Sequence, residues 1–323
     1  MVSETHNPRD PRVESALTAA RLYYLQDRTM EAIAREMRVS RSSVSRLLSY
    51  ARSSGIVDIR ISSPLAHGGG LEARLHGRFG ITAHVVPVPV GVSEADRLDR
   101  VARTASHVVA QFVDSNMVVG VAWGSTLSVV SRHLPQKATH NTTVVQLNGA
   151  GNTQTTGVEY SSEILQRFGT AFGAEVQQFP VPAFFDDPET RKAMWRERMT
   201  KRVLNLQARM DIAVFSVGSP SSDVPSHVYV GAYLDRDDYR SLAEDRAVGD
   251  VATVFFRGDG TWRDVRLNAR ATGPTLDRLR RVPRRVCVAA GQHKLQSVRA
   301  ALEAGIITDV VLDESLAEAL AST

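Results

Sequence analysis

The chain has 323 residues, 43% hydrophobic and 23% charged, with a formal net charge of +4. That balance belongs to ordinary globular chains of one to three domains, with ample length for a large core. No apolar run approaches the ~18 residues that span a bilayer, and the charge permits nucleic-acid binding without requiring it.

The first segment, MVSETHNPRDPR, is polar and carries two prolines. It lacks the apolar stretch of a secretory signal and reads as a disordered arm over residues 1–12. The lone cysteine, Cys287, sits in the apolar run RRVCVAAG, so a disulfide framework within the chain is excluded and a buried strand thiol is expected. The cytoplasm is the expected compartment. The cations are nearly all arginine; the lysines are Lys137, Lys192, Lys201 and Lys294.

Three helices are expected before residue 55. ESALTAARLYYLQ keeps rough helical spacing of Ala16, Leu17, Ala20, Leu22, Tyr24 and Leu25. TMEAIAREM follows, capped by Thr29, with Met30, Ile33, Ala34 and Met37 on one face. RSSVSRLLSYARSSG is capped by Ser40 and stopped at Gly55, with Val44, Leu47, Leu48 and Ala51 aligned. The turn between the last two is only Arg38-Val39-Ser40. Helices joined that tightly cross steeply and need a small contact residue, which Ala34 supplies; Ile33, Met37, Val39, Val44 and Leu47 are expected to fill the wedge. This is the helix-turn-helix pattern. Arg38 stands where glycine often occupies the turn, and a positive φ there costs an arginine about 1 kcal/mol.

The chemistry sits on the third helix, whose outward residues are hydroxyls and arginines. Short hydroxyls allow close approach to a groove floor, and arginine bonds guanine or grips phosphate. Arg41, Ser42, Ser43 and Arg46 are therefore assigned to double-stranded DNA in the major groove, with Arg35 and Arg38 on phosphates. A solvated polar face on a small bundle is the bland alternative. IVDIRISS then alternates as a short strand or wing, so the domain spans 13–62; PLAHGGG makes a linker over 63–70.

From Leu71 to Thr323 the pattern changes. LEARLHGRF is a short amphipathic helix. Apolar runs then alternate with helical stretches: HVVPVPV, MVVGVAW, TVVQLNG, AEVQQFPV, DIAVFSV, VATVFF, RRVCVAAG and DVVLD. Such alternation predicts an α/β domain with a mostly parallel sheet, which binds ligands outside the carboxyl ends of its strands. Four turns there carry suitable groups. VVGVAWGSTL runs a strand into Gly124, Ser125 and Thr126 at a helix N-terminus, an arrangement that binds anions. VVQLNGAGNT offers Asn148, with Gly149 and Gly151 for close backbone approach. VGDV places Asp250 at a strand start, suited to sugar hydroxyls. VAAGQHK ends in Lys294 at a helix start, suited to phosphate. Each turn alone is more often simple packing; together, behind a DNA reader, they suggest one site.

The segments MEAIAREMRVSRSSVSRLLSYARSSGIVDIRI, VVGVAWGSTL, VVQLNGAGN, AVGDVATVFFRGDG and VPRRVCVAAGQHKLQSVRAALEAGIITDVVLDESLAEAL resemble the SorC/DeoR family of bacterial sugar-responsive transcriptional regulators over nearly the whole chain. The resemblance implies a Rossmann-like C-terminal domain similar to glucosamine-6-phosphate deaminase and ribose-5-phosphate isomerase. It implies a phosphorylated sugar or related effector, a homodimer or homotetramer on operator DNA, and a repressor in function. By matching motif, Gly124, Ser125 and Thr126 fall in the phosphate-facing loop, Asn148, Gly149 and Gly151 in a second loop, and Asp250 and Lys294 in later effector-facing motifs. Asn148 stands where relatives can carry lysine or arginine; asparagine forms no Schiff base, so covalent capture of an aldehyde is not expected there. Arg257 stands where the family usually has an acid.

The competing reading is an enzyme of the sugar-phosphate isomerase or deaminase type. Asp250 would be its base and His293 its acid, but no clear His or Glu partner sits at a strand-end loop. No cofactor, metal site or membrane association is expected: the histidines are scattered and no HxxxH or CxxC spacing occurs. Trp195 and Trp262 read as packing residues.

Overall fold

The computed structural model describes residues 11–26, 28–54, 56–57, 68–220 and 226–322. The chain divides into two compact units, Met1–Ala66 and His67–Thr323. The expected wing from Asp58 onward, most of the expected linker, the stop at Gly55 and residues 1–10 of the expected arm lie outside the described residues.

The first unit is built from α1 (Pro11–Ala20), which continues through a wider turn at Arg21–Leu25, α2 (Met30–Glu36) and α3 (Arg41–Ser53). Pro11 and Arg12 belong to α1 and not to an arm; proline suits a first helical turn because the N–H it lacks would find no intrahelical partner. Both expected caps are in place. Thr29 Oγ1 accepts from the amide of Ala32 at 3.2 Å, and Ser40 Oγ accepts from that of Ser43 at 3.1 Å. The core joins Ala16, Ala19, Ala20 and Leu22 to Ile33 and Ala34 of α2 and to Val44, Leu48 and Ala51 of α3. Three expectations fail: Val39 does not fill the wedge, and Leu17 and Leu25 do not face the core, all three being exposed. Arg38 adopts φ +54°. There the amide of Val39 reaches back to the Ala34 carbonyl at 2.9 Å and closes the end of α2.

The second unit has strands β1 (Thr82–Val86), β2 (Val118–Val121), β3 (Thr143–Gln146), β4 (Glu175–Gln177), β5 (Ile212–Phe215), β6 (Ala247–Val251), β7 (Val254–Arg257), β8 (Arg284–Ala289) and β9 (Asp309–Asp313). Its helices are α4 (Gly68–Phe79), α5 (Glu94–Phe112), α6 (Ser125–Arg132), α7 (Val158–Phe172), α8 (Pro188–Met194), α9 (Arg198–Gln207), α10 (His227–Val230), α11 (Arg236–Glu244), α12 (Leu276–Leu279), α13 (Leu295–Glu303) and α14 (Glu314–Ser322). The glycines expected in the linker, Gly68–Gly70, open α4. Seven strands pair in the order β1-β9-β8-β5-β2-β3-β4, all in parallel. The run expected as the strand VATVFF instead forms the β6–β7 hairpin, antiparallel and separate from that sheet.

Parallel strands are covered on both faces, and period-2 alternation assigns each residue to a layer. On β5, Ala213 and Phe215 pack with Leu75 of α4, Val203 of α9, Val298 of α13 and Leu316 of α14. Ile212 and Val214 pack with Val109 of α5, Leu127 of α6 and Phe168 of α7. Chain order then decides where a ligand can sit. From β2 the chain steps outward to β3 and β4, then returns across β2 to β5, β8 and β9. The connections leaving β2 and β5 therefore diverge, and a crevice opens between their carboxyl ends.

Gly149, just past β3, shows how tightly that region is packed. A Cβ there would lie 2.2 Å from the carbonyl oxygen of Pro182 and 2.3 Å from that of Val181. Backbone cannot yield as a side chain does, so Gly149→Ala is expected to destabilise the second unit by about 1–3 kcal/mol or more, read as a lower midpoint in chemical denaturation.

Candidate functional site

The crevice between β2 and β5 is lined by residues from six chain segments. Trp123, Gly124, Ser125 and Thr126 come from the β2–α6 turn, and Asn148 from the loop after β3. Ser216, Val217 and Gly218 follow β5, and Ser226, His227 and Val228 open α10. Asp250, Ala252 and Thr253 come from the β6–β7 hairpin, and Lys294 from the turn before α13. The eight sequence-predicted effector residues thus do not share one fate: Gly124, Ser125, Thr126, Asn148, Asp250 and Lys294 meet in this cleft, while Gly149 and Gly151 do not line it. Gly149 is packed on Val181 and Pro182, with its amide donating to Thr272 Oγ1 at 3.0 Å. Gly151 bridges to Pro182 and lines a different cavity.

Each wall has a local reason for its shape. Gly124 has φ +146°, a conformation that L side chains rarely adopt, and no side chain caps α6. Its first amides therefore stay open, beside the exposed Ser125 and the buried Thr126. The loop after β3 is braced from three sides. Trp123 Nε1 donates to the Gly149 carbonyl at 2.9 Å, Gln146 Nε2 to the Asn148 carbonyl at 2.7 Å, and Gln207 Nε2 to the Leu147 carbonyl at 3.0 Å. Asp250 lies one residue before the end of β6, not at a strand start; its backbone pairs with Gly218 across an isolated bridge. A Cβ at Gly218 would lie 1.9 Å from Asp250 Oδ1, so only glycine admits the carboxylate there.

The electrostatics are unusual for a resting core. Asn148 Oδ1, Ser226 Oγ and Asp250 Oδ1 are buried without a hydrogen-bond partner among the described residues. Buried polar groups are nearly always satisfied, so three orphans converging on one cleft point to a ligand that satisfies them. Burial pushes the Asp250 carboxyl up to about 6, against the opposing pull of the Thr253 amide, Tyr229 and the charge of Lys294. Burial and the Asp250 charge push the Tyr229 phenol well above its ordinary value. Lys294 Nζ donates to the Val217 carbonyl at 2.8 Å and to Ser216 Oγ at 3.2 Å. Burial holds this ammonium below the usual lysine range, against the charges of Cys287 and Asp250. An ammonium has three donors, so one remains.

The turn that carries Lys294 is itself anchored. The buried Asp313 accepts from the Gly291 amide at 2.6 Å and from Arg97 Nη1 at 3.0 Å. His293 faces Glu94 at 3.7 Å and does not line the cleft, which removes it as the acid partner of Asp250. Arg257 ends β7 on the Asp245 carbonyl at 2.8 Å, also outside the cleft. Trp195 packs against Phe179 and Phe185.

Sequence reasoning missed the aromatic cluster beside the cleft, of which Trp123 and His227 line it. Trp123 stacks on Tyr233 with centroids 5.1 Å apart, and Tyr160 and His227 close the aromatic cluster. An aromatic at the end of β2 was the available signal. The free interior is about 40 Å³, room for about two or three waters. A cavity of about 430 Å³ lies elsewhere, lined by Gly151, Phe184, Asp187, Asp235, Asp238 and Arg270. Three of its four aspartates are already committed: Asp187 and Asp235 cap helices, and Asp238 pairs with Arg270, while Asp186 is exposed. Satisfied groups make the roomier cavity the weaker candidate.

On the first unit, Arg35, Arg38, Arg41, Ser42 and Arg46 are exposed and Ser43 is half-buried. Arg41 is held by Glu31 of α2 at 2.7 Å. The hydroxyls of Ser42 and Ser43 each lie 2.8 Å from Ser40 Oγ. Among the described residues, no group of His, Cys, Asp or Glu is arranged to hold a metal ion, and no helix is long and apolar enough to cross a membrane.

These features belong to a recognised class. Residues 63–322 match the Sugar-bind family model, described as “Putative sugar-binding domain”. A domain of a “possible sugar-binding transcriptional regulator” from Arthrobacter aurescens TC1 is 53% identical, covers 80% of this chain and all of its own (100%), and superposes with a TM-score of 0.75. The full-length sorbitol operon regulator SorC from Klebsiella pneumoniae has the same fold over 97% of this chain and 100% of its own, with a TM-score of 0.81 at 23% identity. The deoxyribonucleoside regulator of Bacillus subtilis (strain 168) is 30% identical over 308 residues, 94% of this chain and 96% of that protein. The chain belongs to the SorC/DeoR family of sugar-responsive transcriptional regulators, and it is a regulator, not an enzyme.

Asp250 yields a pH prediction. Its folded pKa of about 6 lies above the ordinary 3.8, so the native state binds more protons across that window. Stability then falls as pH rises from about 4 to about 6, by at most about 3 kcal/mol. Asp250→Asn is expected to abolish this slope and to melt at a higher temperature than wild type at pH 7.5, measured by denaturation at pH 4.5 and 7.5 without effector.

Proposed function

We propose that the first unit is a helix-turn-helix reader whose α3 enters the DNA major groove, and that the cleft between β2 and β5 binds a phosphorylated sugar that controls it. The carrying observation is the set of buried Asn148, Ser226 and Asp250 oxygen atoms, unpaired among the described residues, beside an ammonium with a donor to spare. Three oxygen acceptors suit a ligand rich in hydroxyls. The open amides of α6, with Ser125, Thr126 and Lys294, suit its phosphate. Asn148 holds the sugar by hydrogen bonds and not covalently.

The tight interior gives the effector leverage. A sugar phosphate does not fit in about 40 Å³, so binding selects a form in which a wall has withdrawn. α10 is the short wall, four residues long. A ligand that binds only the open form shifts the balance between forms, and such coupling is typically ~1–3 kcal/mol. On the DNA side, Arg41, Ser42, Ser43 and Arg46 face bases while Arg35 and Arg38 take phosphates. One reader binds weakly, so a homodimer or homotetramer on a palindromic operator is expected, acting as a repressor.

Thermal-shift titration with a panel of sugar phosphates and the matching unphosphorylated sugars tests the cleft. The phosphorylated member of the best pair should stabilise the protein, with Lys294→Ala and Asp250→Asn each weakening binding at least ten-fold. Equal binding by all three proteins rejects the cleft. For the reader, Arg41→Ala and Arg46→Ala should each lower operator affinity by about 1–3 kcal/mol in a gel-shift assay; unchanged binding in both rejects α3 as the recognition helix.

A further inference from the structure

α9 has two unlike faces. Thr200, Val203 and Gln207 are buried, and Gln207 ties the helix to the carbonyls of Gln146 and Leu147. The opposite face borders a groove of about 580 Å³ along β4, lined by Arg198, Lys201, Arg202, Asn205 and Arg209 with Glu175. Four cations thus meet one carboxylate, and that carboxylate reaches only Arg202, at 3.8 Å.

The lysines sharpen the contrast. Lys137 pairs with Asp114, Lys192 with Glu189, and Lys294 with the Val217 carbonyl. Lys201 has no side-chain partner among the described residues and is exposed. The helix from Arg198 to Gln207 is ~13 Å long, with Arg209 just beyond its end, enough to meet more than one successive phosphate.

β4 ends the sheet order, and an edge strand can accept a second copy. A two-fold pairing there would set one basic α9 face against another, which like charges oppose. The charge selects a polyanion instead. We infer that the α9 groove holds the phosphate backbone of duplex DNA outside the segment read by α3, a contact without sequence preference. This rests on the DNA-binding reading above and adds a second DNA surface, in the second unit.

The test is the salt dependence of binding to a long operator duplex and to one trimmed to the segment that α3 reads. Each phosphate contact contributes about −0.9 to the slope of log K against log salt. The triple variant Arg198→Gln, Lys201→Gln, Arg202→Gln should lose about two to three units of slope on the long duplex and none on the trimmed one. Lys201→Glu alone, a single exposed change, should weaken long-duplex binding at least three-fold with an unchanged melting temperature. An unchanged slope for the triple variant on the long duplex, with wild-type binding intact, overturns the groove alone. An altered sedimentation coefficient with an unchanged slope means that a second copy occupies the groove, which also overturns it. Absence of binding to either duplex by wild type overturns both this inference and the DNA reading.

Discussion

The strand order around β2 is the constraint from which the rest follows. Because β3 and β5 flank β2 on opposite sides, the connections after β2 and β5 cannot fill the space between them with backbone. Side chains must line it, and they come from segments far apart in the chain. The hairpin β6–β7 stands outside the main sheet and delivers Asp250 to the opening, while the turn after β8 delivers Lys294. The cleft is thus a product of topology first and of residue choice second.

Residue choice then works against stability. One carboxylate oxygen, an amide oxygen and a hydroxyl are buried without partners among the described residues, and each forfeits about 1–3 kcal/mol of solvation. The surrounding packing tolerates this because the loop after β3 is held by Trp123, Gln146 and Gln207, and the Lys294 turn by Asp313 and Arg97. These braces hold the unsatisfied groups in place, so that in the proposed reading only the short wall at α10 has to move for a ligand. A well-satisfied cavity of about ten times the free volume, lined by Asp187 and Asp238, carries no such strain.

Much of the fold was legible because buried parallel strands are nearly continuous runs of Val, Ile, Leu and Ala, and MVVGVAW, DIAVFSV and DVVLD are such runs. The caps Thr29 and Ser40 were legible because a hydroxyl before a periodic run has one economical use. What failed to show is equally physical. α11, RDDYRSLAE, is so polar that its buried pair Asp238 and Leu242 leaves no apolar stripe to read. VATVFF reads as one strand, but Ala252 and Thr253 take positive φ and fold it into a hairpin. Gly149 and Gly151 looked like ligand-facing glycines, whereas the close approach they permit is to the chain's own Val181–Pro182 backbone. Sequence distinguishes a glycine that something approaches; it does not say what approaches.

If α3 reads DNA as proposed, the ion pair between Arg41 and Glu31 sets a threshold for it. In the free protein the guanidinium already has an anion at 2.7 Å. A phosphate or base edge must displace that carboxylate before it gains Arg41. Such exposed pairs are worth about 0–1 kcal/mol, so the threshold is modest, at most about five-fold. In the proposed reading that cost is the same for every complex that uses Arg41, so α2 lowers affinity without itself choosing between sequences.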